Sequence, residues 1–202
     1  MSLVSRVNIP VGIVFGNHDC DSGDRGKIRR MWETHPAITV LDGEYAEFSL
    51  RGTTVGVVGA KGYGGGFAPY RLVARGEQST KAFLQEEDRE VRKLKAALEK
   101  MREACPTFQI VLTHWAAFQE TVKGEPKELY IALGSSRLGD AIESINPDLV
   151  LSGHAHHGPS TIQKARGKIS TCNIAYKVHK GKMPLFDFFS QGKIALRYSE
   201  SH

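Results

Sequence analysis

Long apolar runs are missing, and no stretch approaches the ~20 apolar residues that a membrane-spanning helix needs. The run from Pro10 to Phe15 is also too short for a signal-peptide core, and no small-residue cleavage site follows it. Cysteine is scarce. Cys20, Cys105 and Cys172 are odd in number, far apart and without metal-type pair spacing, which argues against a disulfide framework and predicts reduced thiols in a cytoplasmic protein. Internal repeats and low-complexity linkers are absent too, so one domain spanning residues 1–202 is expected. No basic cluster with interleaved aromatics appears, which leaves no specific nucleic-acid partner to expect. The formal charge of +5 then fits phosphate-bearing substrates without requiring them.

What is present reads as alternating elements. The apolar run Val11 to Phe15 predicts a buried strand ended by Gly16, and Asp24 to Glu33 a short charged helix. Glu44 to Leu50 and Thr53 to Ala60 alternate and predict a hairpin joined at Arg51-Gly52. Gly62 to Gly66 is too glycine-rich for the interior of an element and reads as a loop, either flanking a substrate or merely connecting. Ser79 to Ala104 predicts a long covering helix, with Phe83, Val91, Leu94 and Leu98 inward and its charges solvated. Phe108 to Leu112 and Asp148 to Leu151 are two more buried strands, separated by a helix over Ser135 to Ile145. Short β runs follow at Lys168 to Ile174, Leu185 to Phe189 and Lys193 to Tyr198, with turns at Gly181 and Gly192. The order predicts a layered α/β domain with mixed sheets.

Three segments share one layout, a buried strand followed by a sharp turn that carries histidine. They are Gly16-Asn17-His18-Asp19, Thr113-His114-Trp115 and Gly153-His154-Ala155-His156. Loops beyond the carboxyl ends of strands converge on one edge of an α/β sheet, where ligands bind. Imidazole nitrogens and an asparagine amide oxygen then suit a divalent ion such as manganese, iron or zinc. Each segment alone is a weak signal; all three in order are a strong one. Arg71, Arg75 and Arg137 are candidates for a substrate clamp, Trp115 for a pocket wall or a core residue, and Ser135 for a helix cap.

These three segments resemble the third, fourth and fifth motifs of the calcineurin-like metallophosphoesterases. Lys61 to Phe67, Thr121 to Glu125 and Leu133 to Leu138 are similar to a bacterial subgroup of that family. The resemblance implies an α/β/β/α sandwich and hydrolysis of phosphate mono- or diesters by a hydroxide of a two-metal centre. It implies that Asn17, His114 and His154 hold the second metal and that His156 reaches the first. His18 is implied as general acid or electrostatic stabiliser at the leaving group, with Asp19 orienting it.

Two earlier motifs of the family, an Asp-x-His and a Gly-Asp that supplies a bridging carboxylate, have no counterpart before Gly16. Asp21, Asp24 and Asp42 follow the third motif, where nothing aims them inward, so they are not expected to substitute. The resemblance therefore implies a shortened form of a longer enzyme, lacking the first strands of the fold. A catalytically silent phosphoesterase-fold binding module and completion of the site by a partner chain are the alternatives. An apolar edge and face left open by the missing strands predict self-association.

Overall fold

The computed structural model describes residues 9–21, 23–50, 52–189 and 193–198. The chain opens with β1 (Val11–Ile13), a 3-10 turn (His18–Cys20), α1 (Arg25–Glu33) and β2 (Ile38–Val40). β1 is shorter than the apolar run that announces it, because Val14 and Phe15 leave the ladder while Phe15 stays buried. β2 has too few residues to show a period in the sequence, yet it pairs in parallel with β1. Together they enclose Phe15, Ile38 and Val40 against Ile28 and Trp32 of α1, with the Phe15 and Trp32 rings stacked at 5.1 Å.

Six strands form the main sheet: β3 (Glu44–Leu50), β4 (Thr53–Ala60), β5 (Phe108–Thr113), β6 (Leu149–Ser152), β7 (Gln163–Ala165) and β8 (Ile169–Asn173). Their order is β3-β4-β5-β6-β8-β7. The four inner strands run parallel and the two outer ones antiparallel, so the sheet is mixed, as the element order implies. β3 and β4 keep the limits expected of them; Arg51 at their junction and the expected turn at Gly192 lie outside the described residues. β9 (Pro184–Phe188) and β10 (Ile194–Tyr198) make a separate antiparallel hairpin, with Phe188 against Phe108 at 4.8 Å.

Two helices, α2 (Gln78–Ala104) and α3 (Ser136–Glu143), cover one face of the sheet. Val91, Leu94, Leu98 and Met101 of α2 and Leu138 and Ile142 of α3 pack on Val58, Val111 and Val150. Each such side chain contributes about 1.5–3 kcal/mol on leaving water. α2 stops where Cys105 turns left-handed ahead of Pro106. Ser135 caps α3 by accepting the amide of Arg137 at 3.0 Å.

The expectation that the charges of α2 are solvated fails at Glu87 and Glu90, which are buried. Both stand on the stripe that includes Leu84, Val91 and Leu94, and both are fully bonded, which makes burial tolerable. Glu87 accepts from Ser135 and Arg137, and Glu90 accepts from the Gly62 amide and Lys93.

Among the described residues the opposite face of the sheet is only partly covered. Val55, Val57, Ile110, Leu112 and Leu151 line an apolar cleft there with Pro10 and Gly12. Among the described residues no helix is long and apolar enough to cross a membrane.

Register decides where function can sit. Ala60 lies beside Thr113, Thr113 beside Ser152, and Ser152 beside Asn173. Four parallel strands thus end level with one another, and Lys61, His114 and Gly153-His154 leave the sheet along the same edge.

Candidate metal centre

Three loop tips meet at that edge. His114 Nε2 stands 2.7 Å from Asn17 Oδ1 and 3.1 Å from His154 Nδ1. Asn17 comes from the turn after β1, His114 from the end of β5 and His154 from the end of β6. The backbone holds each in place. Lys61 carbonyl oxygen accepts the amides of both His114 and Trp115, and His114 carbonyl oxygen accepts the amide of Gly153.

The protons of the cluster follow from its partners. His154 Nε2 donates to the Ala132 carbonyl at 3.0 Å, which leaves Nδ1 with a bare lone pair in the neutral ring. Asn17 Oδ1 is an acceptor only. Two lone pairs therefore point at His114 Nε2. Burial, and then the neighbouring His154 charge, push the His114 pKa down to about 3, and burial also lowers that of His154. Both rings are neutral at neutral pH, the state in which imidazole binds a cation.

The donor set fits a divalent ion. Ligand atoms around a four-coordinate ion stand about 3.3 Å apart, given metal–nitrogen bonds of about 2.0–2.1 Å. The separations of 2.7 and 3.1 Å are close to that spacing. The chemistry is asymmetric, however. Among the described residues no group of three or more His, Cys, Asp or Glu side chains is arranged to hold a metal, so the cluster reaches three donors only through the Asn17 amide.

His154 reaches the cluster at a conformational cost. Its φ is +65°, and Ala155 amide donates across it to Gly153 carbonyl at 2.8 Å, a three-residue turn. A side chain at that φ costs about 1 kcal/mol or more relative to glycine. His154→Gly should therefore be more stable than His154→Ala by about 1 kcal/mol in chelator. Urea midpoints compare them; equal midpoints would show that the turn carries no strain.

His18 and His156 line the same cleft of about 550 Å³ together with Asn17, His114 and His154, but both are exposed and neither joins the cluster. His18 Nδ1 faces Asp21 Oδ2 at 3.0 Å. Asp19, expected to orient His18, instead accepts the Gly16 amide at 2.7 Å and closes the turn that presents Asn17. Asp21 and not Asp19 is the partner of His18.

Of its two expected capacities Trp115 takes the core one, and it is not among the residues that line the cleft. It is a buried core residue, and its ring lies 4.2 Å from that of His154. Arg137 is occupied by Glu87 and Asp88 in a different cleft, away from the cluster. Sequence reasoning passed over Glu125, which lines the cleft and takes the His157 amide at 2.8 Å and the His157 ring at 3.1 Å. Burial pushes its carboxyl upward, but these two bonds outweigh burial and hold it below the usual range. Glu125 thereby pins the loop that carries His154 and His156. Its place in the Thr121 to Glu125 segment was the only sign in the sequence.

No family model matches the chain, and no curated protein matches its sequence. Similarity is found among solved structures. One aligns with a TM-score of 0.57 at 18% identity, over 95% of this chain and 66% of its own. Another is a Staphylococcus aureus protein provisionally called a 5'-nucleotidase, solved with alpha-ketoglutarate. It aligns with a TM-score of 0.52 at 13% identity, over 93% of this chain and 36% of its own. At such identities the likeness is one of fold. The chain spans just under two thirds of the first structure and about a third of the second.

Proposed function

We propose that this chain carries the cation-holding part of a calcineurin-like metallophosphoesterase centre, which hydrolyses phosphate mono- or diesters. The observation that carries the reading is the convergence of Asn17 Oδ1, His114 Nε2 and His154 Nδ1 at the carboxyl ends of parallel strands. Those three residues would hold manganese, iron or zinc. When bound, such an ion supplies Lewis-acid charge for a phosphoryl group and lowers the pKa of water. The fold shared with a protein provisionally called a 5'-nucleotidase supports a phosphate ester as substrate.

The chain's own residues divide the remaining work. The Ala132 carbonyl fixes the tautomer of His154, and burial keeps His114 unprotonated. With Nδ1 committed to Asp21, His18 in its protonated form would present Nε2–H to a departing oxygen and pass that proton to it. His156, which lines the same cleft, would reach a second ion.

One observation favours a second reading, a phosphoesterase fold that binds without turnover. The cluster contains an amide and two imidazoles but no carboxylate, so nothing in it bridges two ions. A single experiment separates the readings. Manganese is titrated into the metal-free chain by electron paramagnetic resonance, and nitrophenyl phosphate mono- and diesters are then assayed with and without it. Binding of a single ion is the expected result, and manganese-dependent hydrolysis beside it supports the enzyme. Binding without hydrolysis supports the silent module, and no binding overturns both.

A further inference from the structure

The turn that presents Asn17 also borders a second cleft, of about 650 Å³, lined by Cys20, Arg25, Lys61, Tyr63, Glu86 and Arg89. Three cations and one carboxylate face it. The unusual member is Lys61, which is only 4% exposed.

Its backbone cannot move aside. Lys61 follows the last residue of β4, its carbonyl oxygen takes the amides of His114 and Trp115, and the next amide, Gly62, donates to buried Glu90 at 3.1 Å. The side chain is thus committed to the cleft. Among the described residues no acceptor stands within hydrogen-bond distance of its Nζ. Glu86 Oε1 is 3.9 Å away, and the Tyr63 ring centre is 4.5 Å away.

An ammonium largely withdrawn from water and short of acceptors is disfavoured. Arg25 repeats the pattern. Its Nη2 bonds Asp42 at 2.6 Å, yet its Nε is buried without a partner among the described residues. Arg89, mostly exposed, shares Glu86 at the rim.

We infer that this cleft is an anion subsite for a phosphate group, with Lys61 and Arg25 as its floor and Arg89 at its mouth. A phosphate oxygen would supply the acceptor that Lys61 Nζ lacks, and several oxygens can engage ammonium and guanidinium together. Its position beside the turn of Asn17 and His18 suits a phosphate released from, or carried by, an ester in the neighbouring cleft. That last assignment rests on the hydrolase reading; the binding itself does not.

The test uses the full chain in chelator, where the His114 cluster holds no cation, titrated with inorganic phosphate and with phenyl phosphate by calorimetry. Saturable binding is expected, weakened about 10- to 100-fold in Lys61→Gln and about threefold in Arg89→Gln, and unchanged in Arg71→Gln, whose side chain lines a different cleft. Binding of both probes marks an ester-borne phosphate, and of inorganic phosphate alone a free one; either supports the subsite. Arg89→Gln alters an exposed side chain and remains informative where Lys61→Gln fails to fold. The inference is overturned by absence of binding in the wild type, by wild-type affinity in a folded Lys61→Gln or Arg89→Gln variant, or by an equal loss of binding in Arg71→Gln. Because manganese is absent throughout, failure here leaves the manganese titration untouched, and failure there leaves this result standing.

Discussion

Replacing His114 by alanine is expected to lower manganese affinity at least about 100-fold, because removing even the partner of a ligand costs 10- to 100-fold. His114 is the hub of the cluster. Its Nε2 contacts both Asn17 Oδ1 and His154 Nδ1, whereas no direct contact joins every pair. Alanine would leave two donors on separate loops with nothing between them. His18→Ala is the control: His18 is exposed and its ring bonds Asp21 rather than the cluster, so manganese affinity should stay at the wild-type value. Paramagnetic resonance titrations of the three proteins read both outcomes. Retained affinity in His114→Ala would remove the basis of the proposed function.

The same variant has a second signature in chelator. Unfolding returns His114 from about 3 to its ordinary value of 6.5, so between those limits the unfolded chain binds more protons than the folded one. Stability from this group is therefore complete above pH 6.5 and falls as pH drops toward 3. Between pH 7 and pH 5 the loss is about 2 kcal/mol in the wild type and absent in His114→Ala. Urea midpoints at the two pH values measure it. Parallel pH dependence in the two proteins would mean that the ring is not buried neutral.

Strong period and strong punctuation were legible in the sequence. Glu44–Leu50 and Thr53–Ala60 alternate over seven and eight residues, and their limits are those of β3 and β4. Gln78–Ala104 begins one residue before the expected helix and ends with it, since Pro106 admits little choice. The His114 and His154 segments come together because neighbouring parallel strands of matched register must end together, and Asn17 joins them from the separate β1-β2 pair. Elements too short to show a period were missed, namely Ile38–Val40, Gln163–Ala165 and the 3-10 turns Gln119–Val122 and Lys127–Ala132. Buried charge was missed for another reason. A pattern of apolar residues treats every Glu and Lys as surface, so Glu87, Glu90 and Lys61 disappear from view. The helical stripe did contain the signal, because 87 and 90 fall in step with 84, 91 and 94. Asp19 and Asp21 could not be separated in advance, because the partner of His18 depends on how tightly the 3-10 turn winds.

Gly134→Ala should destabilise the chain by about 3 kcal/mol and lower its melting midpoint by about 6–12 °C, although the substitution adds one methyl group. A Cβ at Gly134 would lie 2.1 Å from the Ala116 carbonyl oxygen and 2.8 Å from the Phe67 ring. The oxygen belongs to backbone that cannot turn away, because it accepts the Ser135 amide while Ala116 amide donates to Leu133 carbonyl. Gly66 is tied into the same arrangement through its amide to Gly134 carbonyl. Three chain segments thus approach at a spacing that only a glycine permits, and one of them begins at His114, two residues before Ala116. Backbone conformation is not the cause, since Gly134 is not among the residues with positive φ. Gly76→Ala isolates that other effect: its φ is +74° and a Cβ there meets nothing within 4 Å, so about 1 kcal/mol is expected. Thermal melts of both variants decide between crowding and strain, and equal losses would refute crowding. If the segments are coupled as described, Gly134→Ala also weakens manganese binding, because displacing Ala116 draws His114 away from Asn17 and His154, whereas Gly76→Ala leaves the cluster intact.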